Sequence, residues 1–155
     1  MCSSDLICSC SESELRSAAT YIGQGLNVKV EWMVTDMADR AQVDSLAAEA
    51  LRRLGRVDVL VNNAGSNVPQ PVDEITDEVW DRILELNLSS CMRLTRALVP
   101  QMKARRWGRI IHISGIGPYI GTDPPKGMAK MGLVGFTRGI AREFAPWNKI
   151  GRAHV

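Results

Sequence analysis

No apolar run in this sequence is long enough to cross a bilayer: the stretch at 57–61 is broken by Asp58, whereas a spanning helix needs about 20 apolar residues. No basic segment followed by an apolar one is found near the first residues, so no secretory signal is expected. Cysteine is sparse. Cys2, Cys8, Cys10 and Cys91 have no His or Cys neighbours at metal-ligand spacing, so neither a metal site nor a disulfide framework is expected. Reduced thiols in a cytoplasmic protein follow from the same count. An excess of charge of one sign is lacking too. Nineteen Lys and Arg face 17 Asp and Glu, a net charge of +2, which gives no strong pull on nucleic acid or on a membrane surface. Internal repeats and low-complexity stretches are also absent.

What is present is the mix of an ordinary globular domain, with 45% hydrophobic and 23% charged residues over 155 positions. Strand-like and helix-like segments alternate. A short apolar run ends at Ser9. Ser11, with Glu14 three residues on, is a capping box that should start a helix. That helix carries Leu15, Ala18, Ala19 and Ile22 on one face and should stop at Gly23 and Gly25. A valine-rich strand at 28–34 follows, then Asp36 as an expected N-cap. The next helix has Val43, Leu46, Ala47, Ala50, Leu51 and Leu54 in an amphipathic stripe that ends at Gly55. A third strand, 57–61, runs into Asn62-Asn63-Ala64-Gly65. After Pro69 and Pro71, Thr76 should cap a long helix over 77–105, bent or broken near Pro100. A fourth strand at 108–114, a Gly/Pro-rich loop at 115–125 and a last apolar helix complete the order. Strands separated by helices of this length predict βαβ units, and hence an α/β, Rossmann-like, doubly wound parallel sheet.

Four strings in this order carry a family resemblance. Val57-Asp58-Val59-Leu60-Val61-Asn62-Asn63-Ala64-Gly65 resembles the strand-and-turn signature of short-chain dehydrogenases/reductases. Asn87-Leu88-Ser89-Ser90, Gly108-Arg109-Ile110-Ile111-His112-Ile113-Ser114 and Gly132-Leu133-Val134-Gly135-Phe136-Thr137-Arg138 are similar to its later elements. The 3-oxoacyl-carrier-protein reductase type is the nearest subgroup. The resemblance implies an oxidoreductase that moves hydride between NAD or NADP and a small carbonyl or alcohol substrate. It also implies assembly as a homodimer or homotetramer through the long helix and the last one. Small side chains at Ala64 and Gly65 suit close approach of a flat ligand, and ligands in open α/β sheets bind beyond the strands' carboxyl ends. Asn62, Ala64, Gly65 and Lys130 are thereby expected at the cofactor. Met33 stands where the family often has an acid, leaving the backbone near Val34 for the adenine.

The family reduces a carbonyl with a tyrosine as proton donor, a lysine four residues later, a serine and an asparagine. Lys130 and Asn87 match the last-helix lysine and the asparagine. The other two positions depart. Lys126 stands at the tyrosine position, and Tyr119 lies too far from Lys130 to share its helical face. Gly115 holds the serine position, with Ser114 just before it; Ser114 could substitute only if the strand has already ended. Lysine and tyrosine have similar unperturbed pKa values, roughly 10, and two lysines a turn apart push one another down. Lys126 is therefore a candidate proton donor, against the plainer reading of a solvated residue in a crippled site. The open alternatives are a dinucleotide-binding or oligomerising relative without catalysis, and a truncated product with no activity of its own.

Ser9, Cys10 and Ser11 replace the acid that would favour NAD, a weak lean to NADP. The glycine-rich phosphate turn of the family is not found before residue 7, and the strand that carries it is the sheet's central one. The Rossmann sheet is accordingly expected to be incomplete, lacking that first strand and the C-terminal ones, and the polypeptide alone is expected to bind dinucleotide poorly. Residues 1–6 and 150–155 resemble translated sequencing-adapter oligonucleotides. They are read as non-native ends of a natural segment over 7–149.

Overall fold

The computed structural model describes residues 4–121 and 123–147, and the backbone of 152–154. Its elements alternate as the pattern predicts: β1 (Ser4–Ser9), α1 (Glu12–Leu26), β2 (Lys29–Val34), α2 (Arg40–Leu54), β3 (Val59–Asn62), α3 (Asp77–Leu84), α4 (Ser90–Arg105), β4 (Arg109–Ile113), a short α5 (Gly117–Ile120), α6 (Pro124–Glu143) and β5 (Arg152–His154). The Ser11 hydroxyl accepts from the Glu14 amide and opens α1, and Thr76 does the same for Val79 at α3.

All strand pairs are parallel, but the described strands form two ladders rather than one. β1 pairs with β2, and β3 pairs with β4 and β4 with β5. No ladder joins β1 to β3. The break lies where the sequence reading places the family's central strand, so the Rossmann sheet is incomplete within this chain. Helices cover both faces. Leu60 and Ile110 are buried with Val43, Leu46 and Ala47 of α2, Leu94, Leu98 and Met102 of α4, and Ile140 of α6. Leu6, Cys8 and Met33 of the other ladder pack on the same core. On the opposite side α1 lies over β1 and β2, where the Arg16 guanidinium stands 4.9 Å from the Trp32 ring. Burying each large core side chain contributes about 1.5–3 kcal/mol. Beside the break the second face is bare: Val59 and Val61 alternate with buried Leu60 and Asn62 and are about half exposed.

Several local expectations are corrected. Helix α1 runs through Gly23 and Gly25 and stops one residue short of Asn27, which takes the left-handed conformation that a short polar side chain tolerates. Asp36 does not cap α2. Its carboxylate accepts from the Ala38 amide and pairs with Arg82 at 3.0 Å, while Asp39 accepts from the Ala41 and Gln42 amides at the helix start. The long helix over 77–105 is continuous but not uniform: a single π-helical turn, Glu85–Ser89, joins α3 to α4. Pro100 sits inside α4 without ending it. The loop at 115–125 contains α5 and gives way to α6 at Pro124, a residue type favoured in a helix's first turn. Apart from these corrections, the backbone of β5 pairs with the edge of β4, where open N–H and C=O groups template a further strand.

Candidate active site

Three groups from distant parts of the chain meet at the tips of β3 and β4. Gly65 comes from the turn after β3. Asn87 lies in the π turn, where one extra residue in the helical ladder lets a side chain replace a lost backbone bond. Its Nδ2 donates to the Ile83 carbonyl and to the Ser66 carbonyl, both at 2.9 Å. The first bond repairs the helix; the second pins the turn after Gly65. Asn87 is fully buried, and its Oδ1 has no hydrogen-bond partner. Lys130 reaches up from α6, and its Nζ donates to the Ile113 carbonyl at 2.9 Å, at the end of β4. A Cβ built on Gly65 would stand 2.8 Å from Asn87 Oδ1 and 3.1 Å from Lys130 Nζ. Only glycine leaves this notch open.

The electrostatics follow from burial. Lys130 is buried, and burial pushes its ammonium below the ordinary lysine value; the Lys126 charge adds to that push, while charge on Cys91 would oppose it. Burial in turn pushes the Cys91 thiol up, so a neutral thiol sits there at neutral pH. Lys126 is half-buried at the start of α6, one helical turn before Lys130, with no hydrogen bond among the described residues.

The other expected residues are placed as follows. Asn62 is buried, and its Nδ2 lies 3.2 Å from Nδ1 of His112, its register partner on β4. Its side chain therefore points into the core, and only its backbone is left at the strand tip. Ala64 packs against the core, and Gly65 is exposed. Val34 ends β2, in the other ladder, and is exposed. The strand has ended by Ser114, as a substitute for the family serine requires, but its hydroxyl donates to the Lys130 carbonyl at 3.1 Å. Tyr119 is half exposed on α5.

Sequence reasoning missed His112. It is 1% exposed, and its ring meets Phe136 edge-on at 5.6 Å. Burial, and then the Lys130 charge, pushes its pKa down to about 4, so it is neutral at physiological pH. With Nδ1 accepting from Asn62, the ring proton sits on Nε2, which is buried without a partner. A polar residue at an inward position of an otherwise apolar strand, level with Asn62 on the neighbouring strand, was the available signal.

The comparisons with known proteins bear on the family and the fold. The family model for short chain dehydrogenases matches residues 4–152. This chain belongs to the short-chain dehydrogenase family. The 3-oxoacyl-[acyl-carrier-protein] reductase FabG of Escherichia coli is 35% identical over 140 residues, 87% of this chain and 54% of that protein. The crystal structure of the F189W actinorhodin polyketide ketoreductase with NADPH superposes with a TM-score of 0.87 at 30% identity, covering 96% of this chain and 58% of that one. L-Sorbose reductase from Gluconobacter frateurii, complexed with NADPH and L-sorbose, gives 0.86 at 30% identity, covering 92% and 55%. The chain spans about half the length of the curated relatives it matches. As a short-chain dehydrogenase it departs from the family pattern at Lys126 and Gly115. Among the described residues no helix is long and apolar enough to cross a membrane.

Proposed function

We propose that this chain is part of a cytoplasmic NAD(P)-dependent oxidoreductase acting on a small carbonyl or alcohol substrate, and that the complete enzyme is a homodimer or homotetramer. The observation that carries the reading is the convergence of Gly65, Asn87 Oδ1 and Lys130 Nζ beyond the strand tips. The residues present fit the nicotinamide half of a dinucleotide. The notch at Gly65 admits a flat ring or sugar against the backbone of Asn62, Ala64 and Gly65. Lys130 Nζ keeps two N–H donors after its bond to Ile113, enough for a ribose hydroxyl. Asn87 Oδ1 is a buried acceptor in want of a donor, which a ribose hydroxyl or an ordered water supplies. The backbone near Val34 is the remaining contact for an adenine. When bound, the nicotinamide supplies or accepts the hydride.

The chain's own residues hold and move the proton. In reduction, Lys126 gives a proton from its ammonium to the carbonyl oxygen as that carbon gains its new C–H bond. Lys126 becomes a neutral amine and is recharged from solvent. Lys130, one helical turn on, stands beside the ribose side of the same site. NADP is favoured over NAD because Ser9, which ends β1, and Cys10 and Ser11 after it include no carboxylate. The competing reading, dinucleotide binding without catalysis, is favoured by Ser114, whose hydroxyl is committed to the α6 backbone rather than free for a substrate oxygen.

Two measurements on the complete enzyme separate these readings. Lys126→Ala should lower kcat for NADPH-dependent carbonyl reduction by about 100-fold or more, the usual contribution of a general acid. Unchanged turnover removes Lys126 from the chemistry. Lys130→Met should weaken NADPH binding in isothermal titration, and unchanged affinity sinks the dinucleotide site altogether.

A further inference from the structure

A cavity of about 400 Å³ opens between the loop that follows Ser66 and the start of α6. Its walls include Asn67, Pro69, Gln70 and Pro71 on one side and Asp123, Pro124 and Pro125 on the other. Both walls are tied to the candidate active site. The Ser66 carbonyl, one residue before Asn67, is held by Asn87 Nδ2, and Pro125 lies five residues before Lys130 on the same helix. Two amide side chains of the first wall are unmatched: Asn67 Oδ1 and Gln70 Oε1 are buried with no hydrogen-bond partner. Four of the named wall residues are prolines, which have no backbone N–H to offer. Asp123 adds a carboxylate that caps nothing, on a backbone in the left-handed region at φ 50°. The cavity thus gathers unmatched acceptors, and its described lining holds no Lys or Arg.

We infer that this cavity holds the non-reacting part of the substrate, and that Asn67, Gln70 and Asp123 select a polyhydroxylated carbonyl compound over a plain acyl or alkyl chain. The inference rests on the oxidoreductase reading above. Hydroxyls suit the site because each both donates and accepts, so one can serve either end of an amide and also the carboxylate. An alkyl chain would leave those groups buried and unpaired, and sites built to bond a hydroxyl reject analogues that lack it far more strongly than apolar pockets reject small size changes. An anionic group would meet the Asp123 carboxylate in a described lining that itself holds no cation.

The test uses the complete enzyme with a ketohexose, 2-hexanone and an acetoacetyl thioester as alternative substrates. A kcat/KM for the ketohexose at least tenfold above the other two is expected. In Asn67→Leu and Gln70→Leu that preference should fall about tenfold or more, chiefly through KM for the sugar. A preference for 2-hexanone or the thioester, or a ratio that neither substitution changes, overturns the inference while leaving the oxidoreductase reading intact. If no carbonyl is turned over, that reading fails, and thermal stabilisation by the ketohexose decides the cavity separately. A shift in the wild type that is lost in both variants supports a polyol site; no shift means that the amides are served by water alone, and the inference falls.

Discussion

Replacing Gly65 by alanine tests the site geometry most directly. The added Cβ would lie 2.8 Å from Asn87 Oδ1, 3.1 Å from Lys130 Nζ and 3.4 Å from Lys130 Cε. Lysine can swing its end group at the cost of its bond to Ile113. Asn87 has no such freedom, because both hydrogens of its amide are engaged and it is fully buried in the π turn. Relief must break one of those bonds or shift the turn at Gly65. Overpacking of this kind costs about 1–3 kcal/mol, and a lost hydrogen bond about 1 kcal/mol. A net loss of about 2 kcal/mol corresponds to a fall of roughly 4–8 °C in Tm for a domain of this size. NADPH affinity should drop at least tenfold, since about 1.4 kcal/mol of displacement suffices. Thermal unfolding followed by circular dichroism and isothermal titration read the two effects. The decisive control is the same change in an Asn87→Ala background, where the main obstacle is gone and the cost of Gly65→Ala should shrink by about 1 kcal/mol or more. Equal costs in both backgrounds, or a variant with unchanged Tm and affinity, would refute the contact.

His112 makes stability depend on acid pH. Its folded pKa, about 4, lies below the unfolded value of 6.5, so the unfolded chain takes up the proton first. Stability is fully present above pH 6.5 and falls by about 3 kcal/mol as pH drops to 4, at 1.36 kcal/mol per pH unit. His112→Asn should flatten that part of the profile in denaturant titrations, and an unchanged slope would exonerate the histidine. Glu85 joins Arg93 at 2.9 Å and Arg40 at 3.1 Å, with its side chain only 11% exposed. Glu85→Ala should lower Tm measurably, because Arg93 and Arg40 are left without their carboxylate; an unchanged Tm would show that solvent already screens the pair. Lys126→Ala should raise the pKa of Lys130, since it removes one of the causes that lower it. The pH dependence of NADPH affinity would then move toward higher pH, and a fixed midpoint would argue that burial acts alone.

The order of elements was legible because it is written in local terms. Hydrophobic spacing marked α2 and α6, and caps marked α1 and α3. The valine-rich run before Thr35 and the alternation at 108–114 marked β2 and β4. Errors occurred where two local signals compete within a few residues, as with Asp36 against Asp39, or where glycine is tolerated inside a packed helix, as at Gly23. The break between β1 and β3 was also readable, from the missing glycine-rich turn. The family resemblance picked out Asn87 and Lys130 before any geometry was known. Spacing could not do so, since 43 positions separate them.

The sequence alone therefore determined the alternation of strands and helices, the family, and the identities of the groups that meet beside Gly65. Those are properties of short segments and of their order. Tertiary structure decided which of Asn87's atoms is left unmatched, that Lys130 is buried and its ammonium thereby disfavoured, and that His112 lies neutral beneath Asn62. It also brought Asn67 and Gln70 against Pro124 and Pro125. Desolvation and hydrogen-bond satisfaction depend on every atom within a few ångströms, and most of those atoms come from far along the chain.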